Sequence, residues 1–155
     1  MSKFNGGHVG RGMMVTTLAV LSVVAGCSDD KNDGAKDTPK TEAPGSSLEV
    51  TVSEFKLELS STTVAAGDVS ITGVNAGTIE HEIIIIRSDL DSSELPLVDG
   101  RVPEDEVDMV DEISEFAAGT SATQTFNLTP GRYVLICNLP AHYTSGMHHV
   151  LEVTG

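Results

Sequence analysis

A chain of 155 residues with 39% hydrophobic and only 4% aromatic side chains, none of them Trp, suits one modest domain plus appendages. Nine Lys and Arg against 23 Asp and Glu leave a net charge of −14, which repels nucleic-acid phosphates and anionic lipid headgroups and so excludes a nucleic-acid-binding role. The same charge favours a basic protein partner, and it equally serves to keep a domain soluble and monomeric.

Residues 1–27 have the pattern of an export signal. Lys3 and Arg11 form a basic head, and residues 13–24 form an apolar run too short for a comfortable membrane span. The run ends at Val24-Ala-Gly-Cys27. Small residues before a Cys resemble a bacterial lipobox, in which Cys27 becomes lipid-modified and heads the mature chain. Val24 departs from the usual Leu of that motif, so ordinary cleavage and an uncleaved anchor stay open. All three readings predict an exported protein, and the lipobox predicts one anchored to the cell membrane. Residues 28–47, rich in Asp, Lys, Gly, Pro, Ser and Thr, have almost nothing to bury and read as a disordered linker.

Residues 48–155 read as the folded domain. Leu48, Val50 and Val52 alternate with polar residues, as do Phe55, Leu57 and Leu59, giving two half-buried strands. Gly67-Asp68 turns into a strand over 69–74, and Asn75-Ala-Gly77 turns again. Residues 79–86 end in four consecutive Ile, which places them in the centre of the sheet with both faces covered. Phe126 and Leu128 point inward from another strand. After Pro130-Gly131 a strand over 132–136 puts Tyr133, Leu135 and Cys137 on one face and Val134 and Ile136 on the other. The fold expected is all-β, a sandwich of about seven or eight strands.

Residues 87–119 break this rhythm with an acidic run. Within it Val107, Val110, Ile113 and Phe116 recur every third residue after Pro103, which predicts one short helix packed on the sandwich. The acidic stretch reads either as a docking surface for a basic partner or as a solvated face on an inserted loop.

The chemistry concentrates near the C-terminus. Cys137-Asn-Leu-Pro-Ala-His142-Tyr-Thr-Ser-Gly-Met147 reads C-x4-H-x4-M and lies between two strand-like runs. Five His and five Met among 155 residues put both at fixed offsets from one Cys by chance roughly once in a thousand trials. A soft thiolate, an imidazole, a weak thioether and one further imidazole are the donor set of a blue-copper site, and His81 is the candidate for the further imidazole. The chain holds two Cys. With Cys27 lipidated, Cys137 has no disulfide partner; a Cys27–Cys137 bridge or an inert buried thiol would leave His142 and Met147 unexplained.

These motifs resemble the cupredoxins, small blue-copper electron carriers, and the four-and-four spacing is similar to that of rusticyanin-like and sulfocyanin-like members. The resemblance implies a Greek-key β-sandwich and one type 1 copper held by His81, Cys137 and His142 in a trigonal plane, with Met147 as a long axial ligand. It also implies that His142, ringed by Leu139, Pro140, Ala141 and Met147, is the electron's exit. Glu82 stands where many members have an Asn that ties the ligand loops together, and Asn138 is placed to bond back across the site. His148 and His149 read as strand residues facing opposite sides, with a further metal ligand as the alternative. The function expected is a monomeric, membrane-tethered carrier of single electrons between redox proteins such as a cytochrome or an oxidase, and not an enzyme. Its rivals are a copper-delivery protein using the same ligands and a metal-free adhesion module. A multi-domain copper oxidase or nitrite reductase would need more His than this chain has.

Overall fold

The computed structural model describes residues 45–155. The expected export signal and Cys27, and nearly all of the expected linker, lie outside them. Among the described residues no helix is long and apolar enough to cross a membrane.

Among the described residues nine strands form two sheets. Strands β1 (Ser46–Ser53), β2 (Lys56–Leu59), β4 (Gly67–Asn75) and β7 (Ser121–Leu128) make one sheet in the order β2-β1-β4-β7. Strands β3 (Thr63–Ala65), β5 (His81–Arg87), β6 (Met109–Phe116), β8 (Gly131–Ile136) and β9 (His148–Thr154) make the other, in the order β3-β9-β8-β5-β6. The β1–β4 and β3–β9 pairs are parallel and the rest antiparallel. Alternation does what the sequence predicts in β1, where Leu48, Val50 and Val52 are buried and Glu49 is exposed. The principal core lies between the sheets and joins Val50, Val69, Ile71 and Phe126 to Ile83, Ile85, Leu135 and Leu151.

A second, smaller core explains the unbroken Ile run. Ile83 and Ile85 face the sandwich, whereas Ile84 and Ile86 face outward beside Val134 and Ile136. The excursion 88–108 covers that outer face with Leu95 and Val102, and Tyr143 completes it.

The helix expected in the acidic stretch is absent, and residues 109–116 are strand β6 instead. Two register shifts interrupt the alternation of β6, and one of them produces the three-residue step from Ile113 to Phe116. His81 pairs with Phe116 and Ile83 with Ile113, so two steps along β5 match three along β6; Ile85 pairs with Asp111 and Ile86 with Met109, so one step matches two. Each extra residue is a β-bulge, which shifts the facing of all residues beyond it. Ile113 and Phe116 therefore both reach the core, while Val110 is left 40% exposed. Among the described residues the one helical segment is a 3-10 turn at Tyr143–Ser145.

Phe55 also departs from expectation. It does not continue the inward alternation of β2 but sits at the tip of the β1–β2 hairpin, at φ +60° and 55% exposed.

Candidate metal centre

β5 and β8 are antiparallel neighbours, so the first residue of β5 and the residue following β8 fall at the same end of the sandwich. These are His81 and Cys137, both fully buried. The loop 137–147 then folds back on itself. Cys137 N donates to Met147 O at 3.0 Å, Met147 N donates to His142 O at 3.2 Å, and His142 N donates to Leu139 O at 2.9 Å. Gly146, at φ +108°, supplies the left-handed turn that returns the chain to β9. The closed loop aims the His142 ring back at Cys137.

The Cys137 Sγ lies 3.2 Å from His142 Nδ1 and 3.7 Å from His81 Nδ1. All three donor atoms fall within 4.8 Å of one another. The two rings are 5.0 Å apart between centroids and tilted by 49°. A metal bonded at about 2.3 Å to sulfur and about 2.0 Å to nitrogen in a trigonal plane separates those atoms by about 3.7 Å, so the observed spacings fit a single ion. Met147 is fully buried against the same core as Cys137. It does not reach the surface, so it takes no part in the apolar rim expected around His142; there Pro140 and Ala141 are exposed and Leu139 is half-buried.

The environment is dry. Burial pushes the Cys137 thiol up, and burial also lowers the imidazole of His142. His81 is lowered by burial first and then by His142 beside it. Without a metal the site thus holds neutral rings and a protonated thiol, and an ion must displace the thiol proton. His81 Nε2 is buried with no hydrogen-bond partner among the described residues, leaving the ring held by packing and by what meets Nδ1.

Surrounding residues hold these donors. Glu82, only 5% exposed, accepts a hydrogen bond from Asn138 N at 3.0 Å and so bridges the two ligand segments with a carboxyl in place of an amide. Burial, and then Glu115, push that carboxyl up to about 7. Two residues outside the ligand motifs sit at the hairpin tip. Glu54 Oε1 accepts from Thr78 N at 2.5 Å, Thr78 Oγ1 at 2.8 Å and Ile79 N at 3.2 Å, pinning the approach to His81. Phe55 meets His142 edge-on, with centroids 6.0 Å apart and planes at 83°. A two-residue hairpin ending in an aromatic was the available signal, but its partners lie far along the chain. His148 bonds Ser92 Oγ and His149 bonds the Val150 carbonyl, each through Nδ1; neither joins the donor cluster.

With two packed sheets and one buried Cys and two buried His converging at one end, the described domain has the cupredoxin fold, and its donor set fits one type 1 copper. Among solved structures it is similar to dithionite-reduced auracyanin from the photosynthetic bacterium Roseiflexus castenholzii, at 27% identity and TM-score 0.57, covering 72% of this chain and 98% of that one. Auracyanin A from Chloroflexus aurantiacus shares the fold at 21% identity and TM-score 0.50, covering 70% and 98%. Rusticyanin from Thiobacillus ferrooxidans does so at 19% and 0.50, covering 71% and 79%. No protein-family model and no curated protein sequence matches the chain.

Proposed function

We propose that the protein is a mononuclear type 1 copper protein that carries single electrons between redox partners and transforms no substrate. The observation behind this reading is the convergence of Cys137 Sγ with the Nδ1 atoms of His81 and His142 in a buried pocket. Cys137, His81 and His142 would hold the copper strongly, and the Met147 thioether would be its weak fourth donor. The copper, when bound, supplies a one-electron couple whose two states tolerate the same ligand geometry. The chain keeps that geometry fixed: the loop closes through Cys137 N and Met147 O, Glu82 holds Asn138, and Phe55 rests on His142. Little then has to move when an electron passes, and the buried ligands exclude water. His142, 7% exposed beneath Phe55 and flanked by Pro140 and Ala141, is assigned as the exit.

The same proposal places the protein outside the cytoplasm, tethered to the membrane through a lipid on Cys27, and gives it a redox partner with a basic surface. The pattern of residues 1–27 and the net charge of −14 support these parts. Cys27→Ser should move the protein from the membrane fraction to the soluble one.

The decisive experiment is a visible absorption and EPR spectrum of the protein loaded with Cu(II). An intense thiolate-to-copper band with a narrow copper hyperfine splitting is expected. A pale, tetragonal spectrum would replace electron transfer by copper delivery, and failure to take up copper would remove both.

A further inference from the structure

Asn138 follows Cys137 directly and is 1% exposed, yet every polar atom it carries has a partner. Its N donates to Glu82 Oε1 at 3.0 Å, and its O accepts from Arg101 Nε at 2.8 Å. Its side-chain Oδ1 accepts from Val102 N at 2.8 Å, while Nδ2 donates to Val102 O at 2.9 Å and to Glu104 Oε1 at 2.8 Å. The amide thus pairs with the Val102 backbone as a neighbouring strand would, which fixes both its rotamer and its distance from the excursion 88–108. An ionised Asp has no donor, and Ser has its donor and acceptor on one oxygen, so neither offers the separate N–H and C=O that meet the Val102 backbone.

The other end of the excursion is tied down as well. Tyr143 Oη donates to Ser92 O at 2.8 Å and accepts from Leu95 N at 3.0 Å, and His148 Nδ1 lies 2.9 Å from Ser92 Oγ. Leu95 and Val102, the buried anchors of the excursion, lie beside these bonds. The loop that carries Cys137, His142 and Met147 is therefore gripped from outside by a segment with no metal donor in the cluster.

We propose that Asn138 is a positioning residue that locks the Cys137 backbone to the excursion 88–108, making the excursion part of the scaffold that sets the thiolate. This rests on the copper reading above. The backbone around Cys137 is held on both sides, by Met147 O on its own N and by Glu82 and Arg101 on the N and O of Asn138. With Cβ restricted to staggered rotamers, the Sγ position follows that backbone. Releasing the Asn138 side chain removes one of these restraints, which alters how the thiolate would meet a metal while the fold stays intact.

The test compares the full chain with its Asn138→Ala and Arg101→Ala variants, metal-free and loaded with Cu(II). In the metal-free protein, hydrogen exchange at the Val102 amide should accelerate by about tenfold or more in Asn138→Ala, since that bond is removed outright, with cooperative unfolding retained. In the loaded protein, loss of copper to a chelator should accelerate by about ten- to hundredfold, as when an outer partner of a metal ligand is removed. The thiolate-to-copper band or the hyperfine splitting should shift with it, which a merely structural role would not produce. Arg101→Ala, an exposed change that keeps the fold if Asn138→Ala does not, should move chelator loss in the same direction by about threefold to tenfold. Wild-type band, hyperfine splitting and chelator loss in a folded Asn138→Ala, or in Arg101→Ala where the first fails to fold, would overturn the proposal. A wild-type chain that binds no copper would overturn the copper reading separately, and the metal-free exchange rates would still decide whether Asn138 forms the lock.

Discussion

Burial works against the charged form of Cys137, raising its thiol and leaving the ionised form dependent on a metal. Cys137→Ser should accordingly keep the sandwich but abolish the intense visible band. Met147→Leu should leave a coloured site with a raised potential, since a weak axial donor is replaced by an apolar group of similar volume; a colourless but folded Met147→Leu would contradict the axial assignment. Glu54 is the converse case, a carboxylate the fold favours as an anion. Hydrogen bonds, the one from Thr78 N first, hold its carboxyl down at about 2. Because the folded state binds its proton less readily than the unfolded chain, the stabilisation is complete above about pH 4.5 and is lost as pH falls toward about 2. The difference in melting temperature between wild type and Glu54→Gln should thus be largest at neutral pH and shrink across that acid range. A difference independent of pH would mean that the ionised form is not what the loop 77–79 binds. The ligand candidates could be picked out in the sequence because Cys137, His142 and Met147 lie within eleven residues at fixed offsets. Glu54, Phe55 and the bonding of Glu82 could not, because their partners Thr78, His142 and Asn138 are 24 to 87 residues away.

Strand β6 shows why elements with local defects resist reading. A regular strand announces itself by alternation, as β1 and β4 do, whereas the bulge between Ile113 and Phe116 gives β6 a spacing of three, the same signal an amphipathic helix gives. The decision between them comes from β5: its Ile83 and Ile85 need a hydrogen-bonded neighbour at the sheet edge, and residues 109–116 supply it. Packing of this edge against the opposite sheet depends on Gly73 in β4. A Cβ there would stand 2.8 Å from Ile83 Cδ1 and 2.8 Å from Phe116 Cζ, so Gly73→Ala should cost about 1–3 kcal/mol by overpacking. The midpoint of denaturant unfolding checks this, and unchanged or increased stability would mean the two side chains have room to withdraw. The covered outer face was legible from the Ile run, but what covers it was not. Leu95 and Val102 share the excursion with Leu90, Leu97 and Val98, which stay exposed, and the choice of which turn inward follows the bonds of Tyr143 and Asn138 rather than any periodicity.

For the molecule as a whole the charge is unevenly placed. Residues 45–155 carry eighteen carboxylates against Lys56, Arg87, Arg101 and Arg132, which accounts for the full −14, since residues 1–44 balance. Eleven of the eighteen fall in 89–115, opposed in that stretch by Arg101 alone. The segment that grips the ligand loop is thus also a main source of the field around the domain, while the proposed exit beside Pro140, Ala141 and Phe55 has one carboxylate near it, Glu54 at the same hairpin tip. A field of this kind accelerates encounter with cations and slows encounter with anions by up to orders of magnitude at low salt. The copper-loaded protein should therefore exchange electrons with a cationic ruthenium ammine at a rate that falls as salt is raised, and with ferricyanide at a rate that rises. Both trends should flatten near 1 M, where the screening length drops to about 3 Å. Opposite slopes for the two probes would support steering toward a basic partner. Flat slopes would mean that the charge serves solubility alone and that recognition rests on the apolar rim of His142.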